Sequence, residues 1–138
     1  MRPLRRSLLA GGLYFVAMLA AGWLFGPLRE AVVRSGLDPL LAVLLEAPAM
    51  LLVMVFACGL AVRQLHVPAR AGDRLVMGAT AIALVLAAEV AGGAAMRGWT
   101  LRDFLGEFAT ARGGVFAATL LAGLLMPLIQ LRLRRERA

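Results

Sequence analysis

A chain of 138 residues that is 62% hydrophobic, with a mean hydropathy of +0.84, is not an ordinary soluble domain, and it is too short for more than a few membrane spans. Its net charge of +7 and pI near 11.6 invite a nucleic-acid reading, but the distribution argues against one: all fifteen basic residues are arginines, and they flank apolar runs instead of forming a patch. The single cysteine, Cys58, excludes an intramolecular disulfide, and no CxxC-type metal motif is present.

Four apolar runs, at about 7–28, 39–62, 75–96 and 113–131, are each long enough to cross a hydrocarbon core of about 30 Å as a helix. The alternation a closed β-barrel requires is absent, so helices are the remaining way to span. The connections are too short to hold a soluble domain. The expected fold is all-α: one integral membrane domain over residues 1–138, a four-helix transmembrane bundle with a short amphipathic interfacial helix between helices 3 and 4.

Helix 1 follows Arg2, Arg5 and Arg6, a start that a signal peptide also shows. The run continues through Trp23, Leu24 and Phe25, longer than a usual signal-peptide core, so a retained helix is expected. Gly22 and Gly26 stand at GxxxG spacing, which reads as packing inside the bundle in preference to a homodimer interface.

Helix 2 has a marked start, with Asp38 to cap it and Pro39 at its first position. Pro48 falls in its interior, close to Glu46, and a kink is expected there. Met50, Met54 and Cys58 follow Glu46 at steps of four. Soft ligands of this kind suit Cu(I), but methionine is also a core filler and His66 is the only histidine. Core packing is the expectation, with no metal and no cofactor.

Helix 3 is expected to be capped by Asp73, with Glu89, Gly92, Gly93 and Met96 on one face. Thr100 and Asp103 fit a capping box for a helix over 101–111, where Leu101, Phe104, Leu105 and Phe108 recur at helical spacing. This segment reads as lying on the membrane surface with Trp99 at its start, or as a docking face for a partner. Helix 4 carries Thr119, an Ala118–Ala122 small-residue pair and Pro127, whose kink reads as architectural.

Ten arginines fall at the end of the bundle that bears both termini, and five (Arg29, Arg34, Arg97, Arg102 and Arg112) at the other. The positive-inside rule places both termini in the cytoplasm. The C-terminal arginines are also placed to meet anionic headgroups. The lack of lysine and asparagine beside abundant alanine and arginine points to a GC-rich bacterial genome and hence a bacterial inner membrane.

The candidate site is built on two acids. A carboxylate at the centre of a membrane helix costs roughly 2.5–3.5 kcal/mol on insertion scales, so Glu46 and Glu89 need a partner or a task. Each lies about seven residues, roughly 10 Å, from the outer end of its helix. Helices 2 and 3 are joined by a short connection and are expected to be adjacent, so that the acids share one polar site opening outward. Three readings follow. The acids form a structural network with Thr119, Tyr14 or an arginine among Arg29, Arg34, Arg97 and Arg112. They share a proton, for relay or cation binding. Or they contact another membrane subunit.

Enzymatic motifs such as HExxH, GxSxG or a P-loop are missing, so no catalytic residue is expected. Gly12, Leu13, Tyr14, Phe15, then Gly22, Gly26 and Arg29, then Leu45, Glu46, Pro48, Ala88 and Glu89 resemble an uncharacterised family of small four-helix bacterial inner-membrane proteins. The resemblance implies the architecture and no activity. The function expected is an accessory or structural subunit in the lipid bilayer, packing as a homo-oligomer or in a larger membrane complex. The alternative is a small proton- or cation-coupled transporter using Glu46 and Glu89.

Overall fold

The computed structural model describes residues 2–138 as five helices: α1 (Pro3–Arg34), α2 (Pro39–Leu65), α3 (Ala71–Arg97), α4 (Leu101–Glu107) and α5 (Ala111–Arg137). All but α4 are long and apolar enough to cross a membrane, so the chain is a multi-pass membrane protein built as an all-α bundle.

Every long helix overruns its apolar run. The largest excess is in α1, which passes through Pro27 and ends only where Gly36 takes a φ of +112°. Apolar length marks where lipid ends, whereas the backbone ladder continues into polar surroundings. Arg29, Glu30 and Arg34 are therefore helical residues and not loop residues.

Asp38 caps α2 by accepting from the N–H groups of Leu40 and Leu41, with Pro39 in the first turn. Thr100 and Asp103 form the expected capping box, but α4 stops at Glu107, before Ala111. Asp73 is not a cap. It lies inside the first turn of α3, where it accepts from the Ser7 hydroxyl at 3.5 Å, and the cap position belongs to Arg70.

Around the bundle the helices neighbour one another in the order α1, α2, α5, α3, which puts α2 and α3 on a diagonal. The expected adjacency of helices 2 and 3 is thus overturned. The connection over 66–70 is short in sequence and lies outside any helix, with the left-handed φ of 51° at His66 ending α2 and an extended Arg70 leading into α3. At about 3.3–3.6 Å per residue it reaches some 17 Å, enough to cross the diagonal of helices packed 8–10 Å apart. Four consecutive carbonyls of this crossing are taken by arginines. Arg6 donates to His66, Arg74 to Val67 and Pro68, and Arg135 to Ala69.

The core sits in the half of the bundle that bears both termini, termed proximal. Tyr14, Met54, Cys58, Met77 and Ala81 are sealed there, and the Tyr14 hydroxyl crosses the other diagonal to donate to the Gly123 carbonyl at 3.1 Å. A methyl on Gly11 would lie 2.7 Å from the Met77 carbonyl oxygen, and one on Gly78 would run into the Leu124 carbonyl. In the distal half almost nothing is sealed: beyond Ala21, Met54 and Ile82 toward that end, only Ala42 and Gly113 are buried.

Candidate functional site

The distal half is open because of what its inward positions carry. On α3 the buried face runs through Arg74, Met77, Gly78, Ala81 and Ile82. Glu89 lies eleven residues beyond Gly78, about three turns, and returns to within about 20° of the same direction. On α1 the buried face runs through Ala10, Tyr14 and Met18, and Arg29 lies eleven residues beyond Met18 with the same result. Both charged side chains thus continue a core stripe into a region where no core forms.

Glu46 completes the group from α2. Its Oε2 receives a hydrogen bond from Arg29 Nη1 at 2.5 Å, an ion pair across the α1–α2 seam with side chains 35% (Arg29) and 18% (Glu46) exposed. A partly desolvated, charge-assisted contact of this kind ties two helices where apolar packing does not. Glu46 has seven residues of α2 before it and Glu89 eight of α3 after it, depths of about 11 and 12 Å.

Glu89 has neither a hydrogen bond nor an ion pair among the described residues, and it is exposed. Arg29 and Glu46 thus meet across the α1–α2 seam, and Glu89 lies at a matching depth on α3, the helix diagonal to α2.

The remaining candidates are engaged elsewhere. The Thr119 hydroxyl donates to Val115 in its own helix, and Tyr14 is committed to Gly123. Arg34 pairs with Glu30 one turn earlier at 3.8 Å, and Arg112 with Glu107 at 3.9 Å. The Arg97 guanidinium lies 4.8 Å from the centre of the Trp99 ring, a cation–π contact at the end of α3. One of the four arginines, Arg29, meets a candidate glutamate directly.

Gly22 and Gly26, expected to pack inside the bundle, have nothing within 4 Å of where a Cβ would stand, and the same holds for Gly92. The α1–α2 seam is held there by charge while its small residues stay uncovered. Met54 and Cys58 lie in the proximal core, with the Met54 thioether against Gly123, which is the packing role expected for them. No three His, Cys, Asp or Glu side chains among the described residues stand close enough together to hold a metal ion.

At the distal rim, α4 turns Phe104 and Phe108 toward Phe116, with centroids 5.4 and 5.9 Å apart in succession, while Leu101 and Leu105 are exposed one turn from each other. Asp103 accepts from both the backbone N–H and the hydroxyl of Thr100, and these bonds hold its carboxyl below the usual aspartate range.

Two features escaped the sequence reading. Gly11, Gly78 and Gly113, the glycines that admit a neighbouring backbone, carry no spacing motif that sets them apart from Gly12 or Gly92. The inward direction of Glu89, by contrast, was available: projecting its face toward the start of α3 instead of toward Met96 meets Ile82, Gly78 and Arg74. Compared with protein-family models, curated proteins and solved structures, the chain matches none.

Proposed function

We propose that this protein is an accessory subunit of a bacterial inner-membrane assembly, in which the proximal half is a self-sufficient four-helix clamp and the distal half is the part another chain completes. One observation carries this reading. Glu89, in line with the core stripe of α3, stands exposed and without a hydrogen bond or ion pair among the described residues, and Gly22, Gly26 and Gly92 of the same half have nothing within 4 Å of where a Cβ would stand. A charge held in a membrane without a partner is costly, and small residues with nothing against them leave packing energy unused. The orientation belongs to the same proposal: ten of fifteen arginines sit at the proximal end, which the positive-inside rule assigns to the cytoplasm. Resemblance to small four-helix bacterial inner-membrane proteins supports the address.

Native mass spectrometry of the protein, tagged at its own locus and extracted with lipid, tests the reading. A stoichiometric partner chain is the expected result, and a monomer under all gentle extraction conditions overturns it. Cysteines placed at Arg34 and Arg102 should label from the periplasm, and labelling from the cytoplasm at both sites inverts the orientation.

A second reading is favoured by a separate feature, the inward direction of both Arg29 and Glu89 above a sealed proximal core. That arrangement suits an outward-facing vestibule for a proton or small cation. In proteoliposomes the double variant Glu46→Gln/Glu89→Gln should then abolish flux while the protein stays folded, and flux that survives it ends this reading.

A further inference from the structure

Resting on the accessory reading, we propose that the distal half receives a membrane-spanning helix of another protein that carries one basic residue, arginine or lysine, at the depth of Glu89. The argument is charge complementarity. Glu46 is neutralised within the chain by Arg29, while Arg34 pairs with Glu30, Arg112 with Glu107, Arg97 lies over Trp99, and Arg102 stands exposed on α4 at the rim. Glu89 is left as the one inward carboxylate in this region with neither a hydrogen bond nor an ion pair among the described residues. A helix seated against the distal half therefore meets, about 12 Å below the rim, an acid with no hydrogen bond or ion pair of its own among the described residues, and a guanidinium or ammonium there satisfies it.

The glycines fit the same occupant. Gly22 and Gly26 on α1 and Gly92 on α3 lie in the distal half, and at none of them would an added Cβ meet a neighbour within 4 Å. Small residues of this kind let a helix backbone approach closely, which shortens the reach required of a basic side chain.

A second copy of this chain is a poor occupant. At that depth it brings Glu46, Glu89 and an arginine that is already bound, so a symmetric contact adds acid to acid without supplying the missing charge.

The test uses the full chain in phosphatidylcholine vesicles, with Trp23 and Trp99 as the native fluorescent donors of the distal half. The probes are tryptophan-free leucine–alanine transmembrane peptides with dansyl at the distal end. One carries a single arginine eight residues from that end and its control carries leucine there. The arginine peptide should quench tryptophan emission at a peptide-to-lipid ratio about tenfold lower than the leucine peptide, the size of one good intramembrane polar contact. Glu89→Gln should remove that preference and Glu89→Asp should retain it.

Equal quenching by the two peptides overturns the basic-residue requirement while the accessory reading stands. Self-association that disappears in Glu89→Gln overturns it in favour of a second copy. A partner found by native mass spectrometry with no basic residue in its outer third also overturns the inference and supports the accessory reading itself.

Discussion

The proximal and distal halves of this bundle are built from the same four helices and much the same residue types, yet one is sealed and the other open. Both contain glycines at positions where helices approach. In the proximal half Gly11 and Gly78 admit a neighbouring backbone, and Tyr14 bridges a diagonal to Gly123. In the distal half Gly113 lies against the backbone of Glu107 and Phe108, but Gly22, Gly26 and Gly92 meet nothing. The difference lies in what shares their stripe. Proximal inward positions are mostly apolar, and the two polar ones, Ser7 and Arg74, bond to nearby backbone carbonyls, whereas distal ones include Arg29, Glu46 and Glu89, which require a partner or water. A small-residue motif thus permits close packing but does not produce it.

The largest test of this contrast is a pair of equal substitutions. Gly78→Ala places a methyl against the Leu124 carbonyl, a backbone atom that cannot rotate away, so α3 and α5 must separate. The expected cost is about 2–3 kcal/mol. Gly92→Ala adds the same methyl to open space in the same helix, where improved helix propensity leaves stability within about 0.5 kcal/mol of the parent or slightly above it. Thermal unfolding in detergent measures both, and equal losses would erase the distinction between the halves.

Next comes the Arg29–Glu46 pair, the contact that ties the distal ends of α1 and α2. Arg29→Leu leaves Glu46 without its counter-charge and should destabilise by about 1–2 kcal/mol, less than for a fully buried pair because both side chains keep some exposure. The exchange Arg29→Glu with Glu46→Arg should recover much of the loss. If the single and exchanged variants unfold alike, the pair is not what holds that seam.

Tyr14→Phe should cost about 1 kcal/mol, since it removes one buried hydrogen bond and keeps the ring that fills the core. A loss confined to the proximal half is expected, seen as faster hydrogen exchange around Gly123 with no change in Trp23 emission.

How legible this was in the sequence follows the same division. Four spans, the Asp38 cap, the Thr100–Asp103 capping box and the equal depth of the two acids all rest on local spacing, and the fold realises each of them. Adjacency of helices 2 and 3 rested on a short connection. It failed because a five-residue connection has the reach to cross a diagonal, and the arginines that secure that crossing come from α1, α3 and α5. Choosing Arg29 among four arginines required knowing that α1 runs on past Pro27 as helix, which brings residue 29 to the level of residue 46. Thr119 was assigned by depth alone and proved committed to its own helix.

The smallest expected effect concerns α4, where the contrast between the halves becomes one of pH. Asp103 is held below the ordinary aspartate range by its two bonds from Thr100, and an unfolded aspartate titrates near 3.9. The folded state therefore binds its proton less readily than the unfolded state. The stabilisation from this capping box is complete above about pH 4 and is lost as pH falls through the lower, folded value. Amide exchange over 101–107 should accelerate below that point, while the exchange of Tyr14 and Met77 in the sealed half stays flat. Asp103→Asn removes the titrating group and should abolish the pH dependence of α4. If that variant keeps an acid-induced loosening of the same size, a different carboxylate at the distal rim governs it, and Glu107, paired with Arg112, is the next to replace.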